Sequence, residues 1–194
     1  MIMKSEPSHE IGSVFEDCDV ENQLVNTVIF VNDKELDFTT ALQILEGAAL
    51  KDRWEIAEPI LKKEPRLIVS GYYGEGSETL LHIAAVAKSI GFVRELIKLM
   101  KVGDLEKGGK STAFHVAAVA GHIEIAKAMR EKNKNLPNIF DDFQKLAITE
   151  AAAAGHKAMV TYLSEVTDYD VIKQQLLDLL ELTIQNEMYG KLLK

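Results

Sequence analysis

Four short runs along the chain repeat one arrangement of apolar residues. In each run, two adjacent apolar residues are followed by a third that lies four positions after the first. Residues spaced in this way fall on one side of an α-helix, so each run predicts an amphipathic helix. Because the arrangement recurs in register, the four helices are expected to stack through these stripes, which are Ile56, Ala57 and Ile60; Phe92, Val93 and Leu96; Ile125, Ala126 and Met129; and Met159, Val160 and Leu163.

Alanine-rich segments precede the last three of these helices, at residues 79–87, 112–122 and 146–156. Thr79 and Thr112 are 33 residues apart, and Gly121 and Gly155 are 34 apart. Alanine suits a helix that its neighbours approach to about 8–10 Å, because larger side chains would hold the helices apart. A constant period of this size predicts an all-α solenoid of stacked helix-turn-helix units.

The ends of the alanine-rich helices carry characteristic residues. Thr79 and Thr112 stand at the predicted starts, where a hydroxyl can accept a hydrogen bond from a free backbone amide. Gly121 and Gly155 stand at the predicted ends, where the backbone takes a left-handed conformation that glycine adopts without strain. Lys88 occupies the corresponding position of the second repeat, so we predict that this lysine is held at positive φ.

The same register divides the chain into three parts. Four repeats are expected over residues 38–168, the first of them divergent and spanning about residues 40–73 because Leu45 aligns with Leu81. Leu176 opens another amphipathic pattern, so residues 169–194 are predicted to be a partial fifth repeat or a capping helix. Residues 1–37 have no helical period and are interpreted as an acidic, largely disordered arm, in which only the β-favouring run 27–31 is suited to packing on the first repeat.

The net charge of −8 belongs mostly to that arm. Residues 1–37 contain nine acidic and two basic residues, whereas residues 38–194 contain 21 acidic and 20 basic ones. A nearly neutral repeat region without a basic face argues against nucleic-acid binding, which depends on phosphate contacts from lysine and arginine. The single cysteine, Cys18, excludes an internal disulfide and favours a reducing, cytoplasmic setting. No run approaches the roughly 20 apolar residues of a membrane-spanning helix, so membrane insertion is not expected.

The repeated residues also carry a family resemblance. The Thr-x-Leu-His-x-Ala core at residues 79–84 and its 33-residue period resemble the ankyrin repeat. Residues 132–138 and 155–163 add similarity to a plant ankyrin family that is associated with defence, cell death and salt response, and whose members carry a C-terminal membrane segment named for a Pro-Gly-Gly motif. The resemblance covers about residues 40–190 and implies an ankyrin-repeat α-solenoid. The Pro-Gly-Gly segment is absent from this sequence, and Lys88 and Thr149 replace the glycine and histidine that the family pattern leads one to expect.

One segment imitates a nucleotide-binding motif. Residues 103–111 look like a phosphate-binding loop, but five residues rather than four separate Gly103 from the Gly109-Lys110-Ser111 run. The segment also follows a predicted helix, whereas the phosphate loop follows a strand. It is therefore interpreted as a polar hairpin tip between repeats. A nucleotide-dependent enzyme ranks third among the possible functions, after the two given below.

The histidines are interpreted as structural residues. His82 and His115 lie one repeat apart, near 10 Å, which is too far for both to reach a metal ion at the usual distance of about 2 Å. The family resemblance implies instead that each serves an inter-repeat hydrogen-bond network. His122 and His156 start the predicted second helices and are interpreted as capping or surface residues. No catalytic residue, cofactor site or metal site is predicted, and the protein is not expected to be an enzyme.

The expected function is a protein–protein interaction module or scaffold, which the resemblance places in plant stress or defence signalling. Its partner is expected to be another protein, and the chain itself a cytoplasmic monomer. The alternative is the cytosolic fragment of a membrane-anchored ankyrin signalling protein, at the cytosolic face of a membrane. Recognition is expected at the hairpin tips and on the exposed side of the first helices, because the other apolar positions are used for stacking. The candidate partner-binding residues are Tyr72, Tyr73, Glu75, Glu78, Lys110, Ser111, Asp142, Phe143 and Lys145 at the tips, and Val86, Val119 and Ala153 on the first helices.

Overall fold

The computed structural model describes residues 29–31, 34–70 and 78–186. Over these residues a two-stranded hairpin is followed by helices that pair two by two. The strands are β1 (Ile29–Val31) and β2 (Lys34–Leu36), and the helices are α1 (Phe38–Leu50), α2 (Trp54–Lys63), α3 (Leu80–Val86), α4 (Ile90–Leu99), α5 (Ala113–Val119), α6 (Ile123–Lys132), α7 (Ala147–Ala153), α8 (Lys157–Val166), α9 (Tyr169–Ile172) and α10 (Leu176–Gln185).

The helices form two layers. The first helices of the repeats, α1, α3, α5 and α7, pack one against the next, and α10 continues this layer after α7. The second helices, α2, α4, α6 and α8, form the other layer, and each packs on the first helix of its own repeat. This arrangement confirms the solenoid of stacked helix-turn-helix units.

The core lies where the sequence pattern places it. Alanine pairs on α3, α5 and α7 are completely buried between neighbouring first helices, and larger apolar residues fill the space between the two layers. The alanines are Ala84, Ala85, Ala117, Ala118, Ala151 and Ala152, and the larger residues include Leu81, Phe114 and Ile148. Each alanine keeps the next repeat close, because a methyl group adds little to the separation of two helix axes.

The hairpin joins the N-terminal region to the first repeat. β1 and β2 pair antiparallel, with Ile29 opposite Leu36 and Val31 opposite Lys34. β1 lies against α2, so the end of the β-favouring run does pack on the first repeat. The expectation of a disordered arm otherwise falls on residues 1–28, which lie outside the described residues.

One residue of the first predicted stripe is not part of the core. Ile56 is 39% exposed, whereas Ala57, Ile60 and Leu61 are buried, so the assignment of Ile56 to the inner stripe is wrong. The corresponding residue of the second repeat, Phe92, is covered edge-on by Trp54 of the preceding repeat, with ring centroids 5.3 Å apart. The described residues contain no repeat before α2 that would cover Ile56 in the same way.

The residue two positions after the end of α3, α5 and α7 has positive φ, as predicted. The φ angles are 61° at Lys88, 71° at Gly121 and 80° at Gly155. The first repeat follows the same rule with Asp52, at φ 55°, which the sequence analysis did not single out. Two repeats therefore end their first helix with a residue that has a Cβ atom and is strained in this conformation.

The glycine at position 121 also leaves room for a neighbouring side chain. A Cβ atom built on Gly121 would lie 2.7 Å from Nδ1 of His156, so the imidazole occupies the space that a side chain would need. At Gly155 the nearest such atom, Oδ1 of Asn186, is 3.8 Å away. Substitution at Gly121 thus meets both backbone strain and a steric clash.

We expect Lys88→Gly to raise the free energy of unfolding by up to about 1 kcal/mol, because it relieves the left-handed strain, less the entropy that the unfolded chain gains. Gly121→Lys is expected to destabilise the protein by more than that strain alone, since it also displaces His156. Urea midpoints measure both effects.

Lys88→Asn serves as the control for charge, because asparagine also tolerates the left-handed region. A destabilising Lys88→Gly together with a harmless Gly121→Lys would show that the two positions are not equivalent and that the repeat register is misaligned.

Candidate functional site

A row of apolar side chains runs across the exposed side of the first helices. Val86 on α3 and Val119 on α5 are 56% and 43% exposed, and Ala153 on α7 is exposed at the equivalent position. The row begins one repeat earlier than the sequence analysis proposed, since Leu50 at the end of α1 is 51% exposed. Leu50 lies 36 residues before Val86, and this separation could have identified it from the sequence as the fourth member of the row. We call Leu50, Val86, Val119 and Ala153 the outer row.

A second row lies beside the first. Ile83 and Val116 precede the outer-row valines by three residues, so they lie on the same side of their helices, and both are half-buried. In the fourth repeat the equivalent residue is Glu150, also half-buried. We call Ile83, Val116 and Glu150 the inner row; none of them was among the sequence candidates.

The structure brings together the tip candidates of two adjacent repeats. The amide of Asp142 donates a hydrogen bond of 2.9 Å to the carbonyl oxygen of Lys110. The Lys110 ammonium group lies 5.9 Å from the ring centroid of Phe143, a cation–π arrangement. Phe143 nevertheless remains 65% exposed, so this tip offers a large apolar surface to solvent.

A buried carboxylate shapes the tip that carries Phe143. Oδ1 of Asp141 accepts hydrogen bonds from the amides of Phe143 at 3.0 Å and Lys145 at 2.7 Å. The Lys145 ammonium group pairs with Asp178 of α10 at 2.6 Å, so its charge is already compensated within the chain. Phe143 is therefore the better candidate contact of the two.

The remaining candidates are divided. Glu78 is exposed immediately before the start of α3, and Ser111 is half-buried before the start of α5. Tyr72, Tyr73 and Glu75 lie outside the described residues, so their role stays a prediction.

Buried histidines fix the tips to the repeats that precede them. Nδ1 of His82 accepts from the Thr79 amide at 3.2 Å, which leaves Nε2 to donate to the Ser111 carbonyl oxygen at 2.9 Å. In the next repeat, Nε2 of His115 donates to the carbonyl oxygen of Lys145 at 3.2 Å. Both links cross from one repeat to the next, as the family resemblance implied for these two histidines.

The fourth repeat makes its link with a different residue. Thr149 replaces the histidine, and its hydroxyl donates to Oε1 of Gln175 at 2.7 Å. The same oxygen accepts the Leu146 amide at 3.0 Å, and the Gln175 amide group donates to the carbonyl of Gln144. Gln175 thus reaches back from the segment before α10 and supplies the hydrogen bonds that a histidine supplies in the other repeats.

His122 and His156 form a second set of links. They occupy the N-cap positions of α6 and α8, but neither side chain caps its own helix. Nδ1 of His122 donates to the Ala85 carbonyl oxygen at 2.8 Å, and Nε2 of His156 to that of Val119 at 2.7 Å. The interpretation as capping residues is therefore wrong: both histidines are half-buried, and each binds the end of the first helix of the preceding repeat.

Burial sets the protonation of several of these groups. Burial lowers the pKa of His82 and of His115 below the ordinary histidine value, and the hydrogen bonds to Ser111 and Lys145 only partly oppose it. Both imidazoles are therefore neutral at pH 7, consistent with one accepting and one donating nitrogen. Burial also raises the pKa of the Glu150 carboxyl, and the nearby Asp141 carboxylate raises it further.

A groove of about 490 Å³ lies on the opposite face, between α4 and α6. Its lining is charged with both signs, and pairs such as Lys98 with Glu95 and Lys127 with Glu124 neutralise each other. The charges on this groove therefore largely cancel, and it has no net charge that would select a charged ligand. It is lined by Arg94, Glu95, Ile97, Lys98, Glu124, Lys127, Ala128, Glu131 and Lys132.

Two further properties concern only the described part of the chain. No group of three histidine, cysteine, aspartate or glutamate side chains within it is arranged to hold a metal ion. None of its helices combines the length and the apolar character that crossing a bilayer requires.

Comparisons with known proteins agree with the geometry. The family described as ankyrin repeats (3 copies) matches residues 45–141 and 81–175. A chain in the crystal structure of the yeast ribosomal protein Rps3 in complex with its chaperone Yar1 is similar, with a TM-score of 0.55 and 24% sequence identity. The similarity covers 66% of this chain and 92% of that one. Comparison with curated proteins gives no match.

We expect the free energy of unfolding to fall as the pH drops from about 7 to about 5. Because the folded pKa values of His82 and His115 are lowered, the unfolded chain binds protons at a pH where the folded chain does not. Their contribution is therefore present above the unfolded pKa, about 6.5, and is lost below it. Urea unfolding at a series of pH values measures the slope.

The double variant His82→Gln, His115→Gln should have a shallower slope over this range than the unmodified protein. Carboxylates contribute to both profiles, so the difference isolates the two imidazoles. Identical slopes would show that the two histidines do not titrate differently in the folded and unfolded states.

Proposed function

The chain belongs to the ankyrin repeat family, and from this premise we propose that it is a protein-binding module or scaffold without catalytic activity. The proposed partner-binding surface consists of the outer row, the inner row and the adjacent tip that carries Phe143. The partner is another protein.

The outer row is the observation that carries this proposal. Leu50, Val86, Val119 and Ala153 stand at equivalent positions of four repeats, and all four are exposed. Neighbouring alanines on the same helices are fully buried, so stacking does not use the outer row. An apolar surface continued over four repeats is costly to leave in water and is characteristic of a surface that another molecule covers.

Phe143 supports the same proposal from the tips. Exposed aromatic residues contribute more than their share of interface energy, because they bury a large area and lose little rotamer entropy. Phe143 stands on a loop held in place by Asp141, so little ordering of the loop is needed when a partner binds.

The finer proposal places this binding in plant stress or defence signalling, either in the cytoplasm or at the cytosolic face of a membrane in a longer form. It is supported by the sequence similarity of residues 132–138 and 155–163 to the plant ankyrin family. Impaired stress or defence responses in plants that lack the protein would support it, and unchanged responses would contradict it.

The binding surface is tested by placing a charge in the outer row. Val119→Asp should weaken partner capture from the source tissue by at least about tenfold, because an unpaired charge at the centre of an apolar interface is desolvated without compensation. Quantitative pull-down with the full chain measures the effect.

Val102→Asp is the matched control, since Val102 is 50% exposed but lies outside the two rows, in the turn Val102–Glu106 that follows α4. Proteins captured by the unmodified chain and by Val102→Asp, but not by Val119→Asp, are partners of the proposed surface. Equal capture by all three would contradict the proposal.

A further inference from the structure

The two rows determine what kind of protein segment can occupy the proposed surface, and this inference rests on the function proposed above. On α3 and α5 the surface is built by the row residues together with the helix-end alanines. None of these side chains contains a polar atom that could form a hydrogen bond. They are Ile83, Val86, Ala87, Val116, Val119 and Ala120.

The backbone of α3 and α5 offers few groups to a ligand on this side. The groups within each helix bond to one another, and the Ala85 and Val119 carbonyls near the helix ends accept from His122 and His156. An extended or polyproline segment laid here would leave its own backbone groups unpaired on the contact side, at about 1–3 kcal/mol for each buried group. An α-helix satisfies those groups internally and has no such cost.

The spacing of the rows also suits a helix. Neighbouring first helices lie about 8–10 Å apart, and about seven residues of an α-helix rise 10.5 Å. A helix laid across α3, α5 and α7 therefore presents one apolar residue to each outer-row position. Residues three or four positions further along fall on the inner row, which lies beside it.

The inner row supplies a charge at one end. Glu150 stands where the preceding repeats have Ile83 and Val116, and its carboxylate has no hydrogen bond or ion pair with any of the described residues. Lys145, the base whose charge acts on this carboxyl, pairs with Asp178. A cation on the partner, or the positive N-terminal end of a partner helix, would complement this carboxylate.

We infer that the surface binds an amphipathic α-helix of a protein partner, laid across α3, α5 and α7. Its apolar residues recur about every seven positions, and a lysine or arginine in the turn that lies over α7 pairs with Glu150. Contact with these three first helices requires a helix of about 18 residues.

Peptide display on the full chain tests this inference. Three libraries of equal diversity, each about 18 residues long, carry heptad-spaced apolar residues, proline at every third position, or alternating apolar residues. We expect the heptad library to be enriched. Synthetic peptides from this library should bind the Val119→Asp variant at least about tenfold more weakly than the unmodified chain, and should bind the Val102→Asp variant with unchanged affinity.

Glu150→Gln isolates the charge. It should weaken the binding of peptides that carry a lysine or arginine in the turn over α7 by about three- to tenfold, and should leave the binding of their glutamine-substituted versions unaffected. The urea midpoint of each variant establishes that it is folded, and Val86→Asp replaces Val119→Asp if the latter is not.

The outcomes separate the two proposals. Enrichment of proline or alternating peptides that lose affinity on Val119→Asp would overturn the helical partner and leave the binding surface standing. If enriched peptides of any library bind the Val119→Asp variant with unchanged affinity, both the binding surface and the helical partner would be overturned. A chain that enriches no library, or an effect of Glu150→Gln that does not depend on the peptide's cation, would overturn the inference made here.

Discussion

The close packing of alanine-lined first helices is the constraint on which the rest of the structure depends. Ala84, Ala117 and Ala151 are completely buried between neighbouring repeats, and this allows the first helices to stack directly. The stacking brings the tips before α5 and α7 within hydrogen-bond distance of the preceding repeat. It also places equivalent side chains at one spacing along the exposed side, so the outer row is a direct consequence of the buried alanines.

Hydrogen bonds between repeats convert this stack into a surface of defined shape. His82 and His115 each donate to a backbone carbonyl at the base of the next tip, and Gln175 makes the corresponding contacts in the fourth repeat. The fold therefore requires a hydrogen-bonded link between successive repeats, which need not come from a histidine or from the histidine position. Because each link crosses a repeat boundary, the tips before α5 and α7 are held in place before a partner arrives, which reduces the entropy lost on binding.

The sequence predicted those features that recur with the period. The helix pairs, the buried alanines and the positive φ of Lys88 all follow from one repeated pattern. Contacts made by residues outside the pattern were missed: Gln175 bonds Thr149 across 26 residues, and nothing in its local sequence indicates this. The exposure of Ile56 was missed for a related reason, since burial of an equivalent position depends on the neighbouring repeat as well as on the residue.

The most direct test of this account compares leucine substitutions at two alanines, Ala118 buried on α5 and Ala153 exposed on α7. If close stacking controls the fold, Ala118→Leu should lower the free energy of unfolding by about 1–3 kcal/mol, because the added methylenes force the first helices apart. Ala153→Leu should stay within about 0.5 kcal/mol of the unmodified protein. Equal urea midpoints for the two variants would contradict the claim that alanine-limited stacking holds the array together.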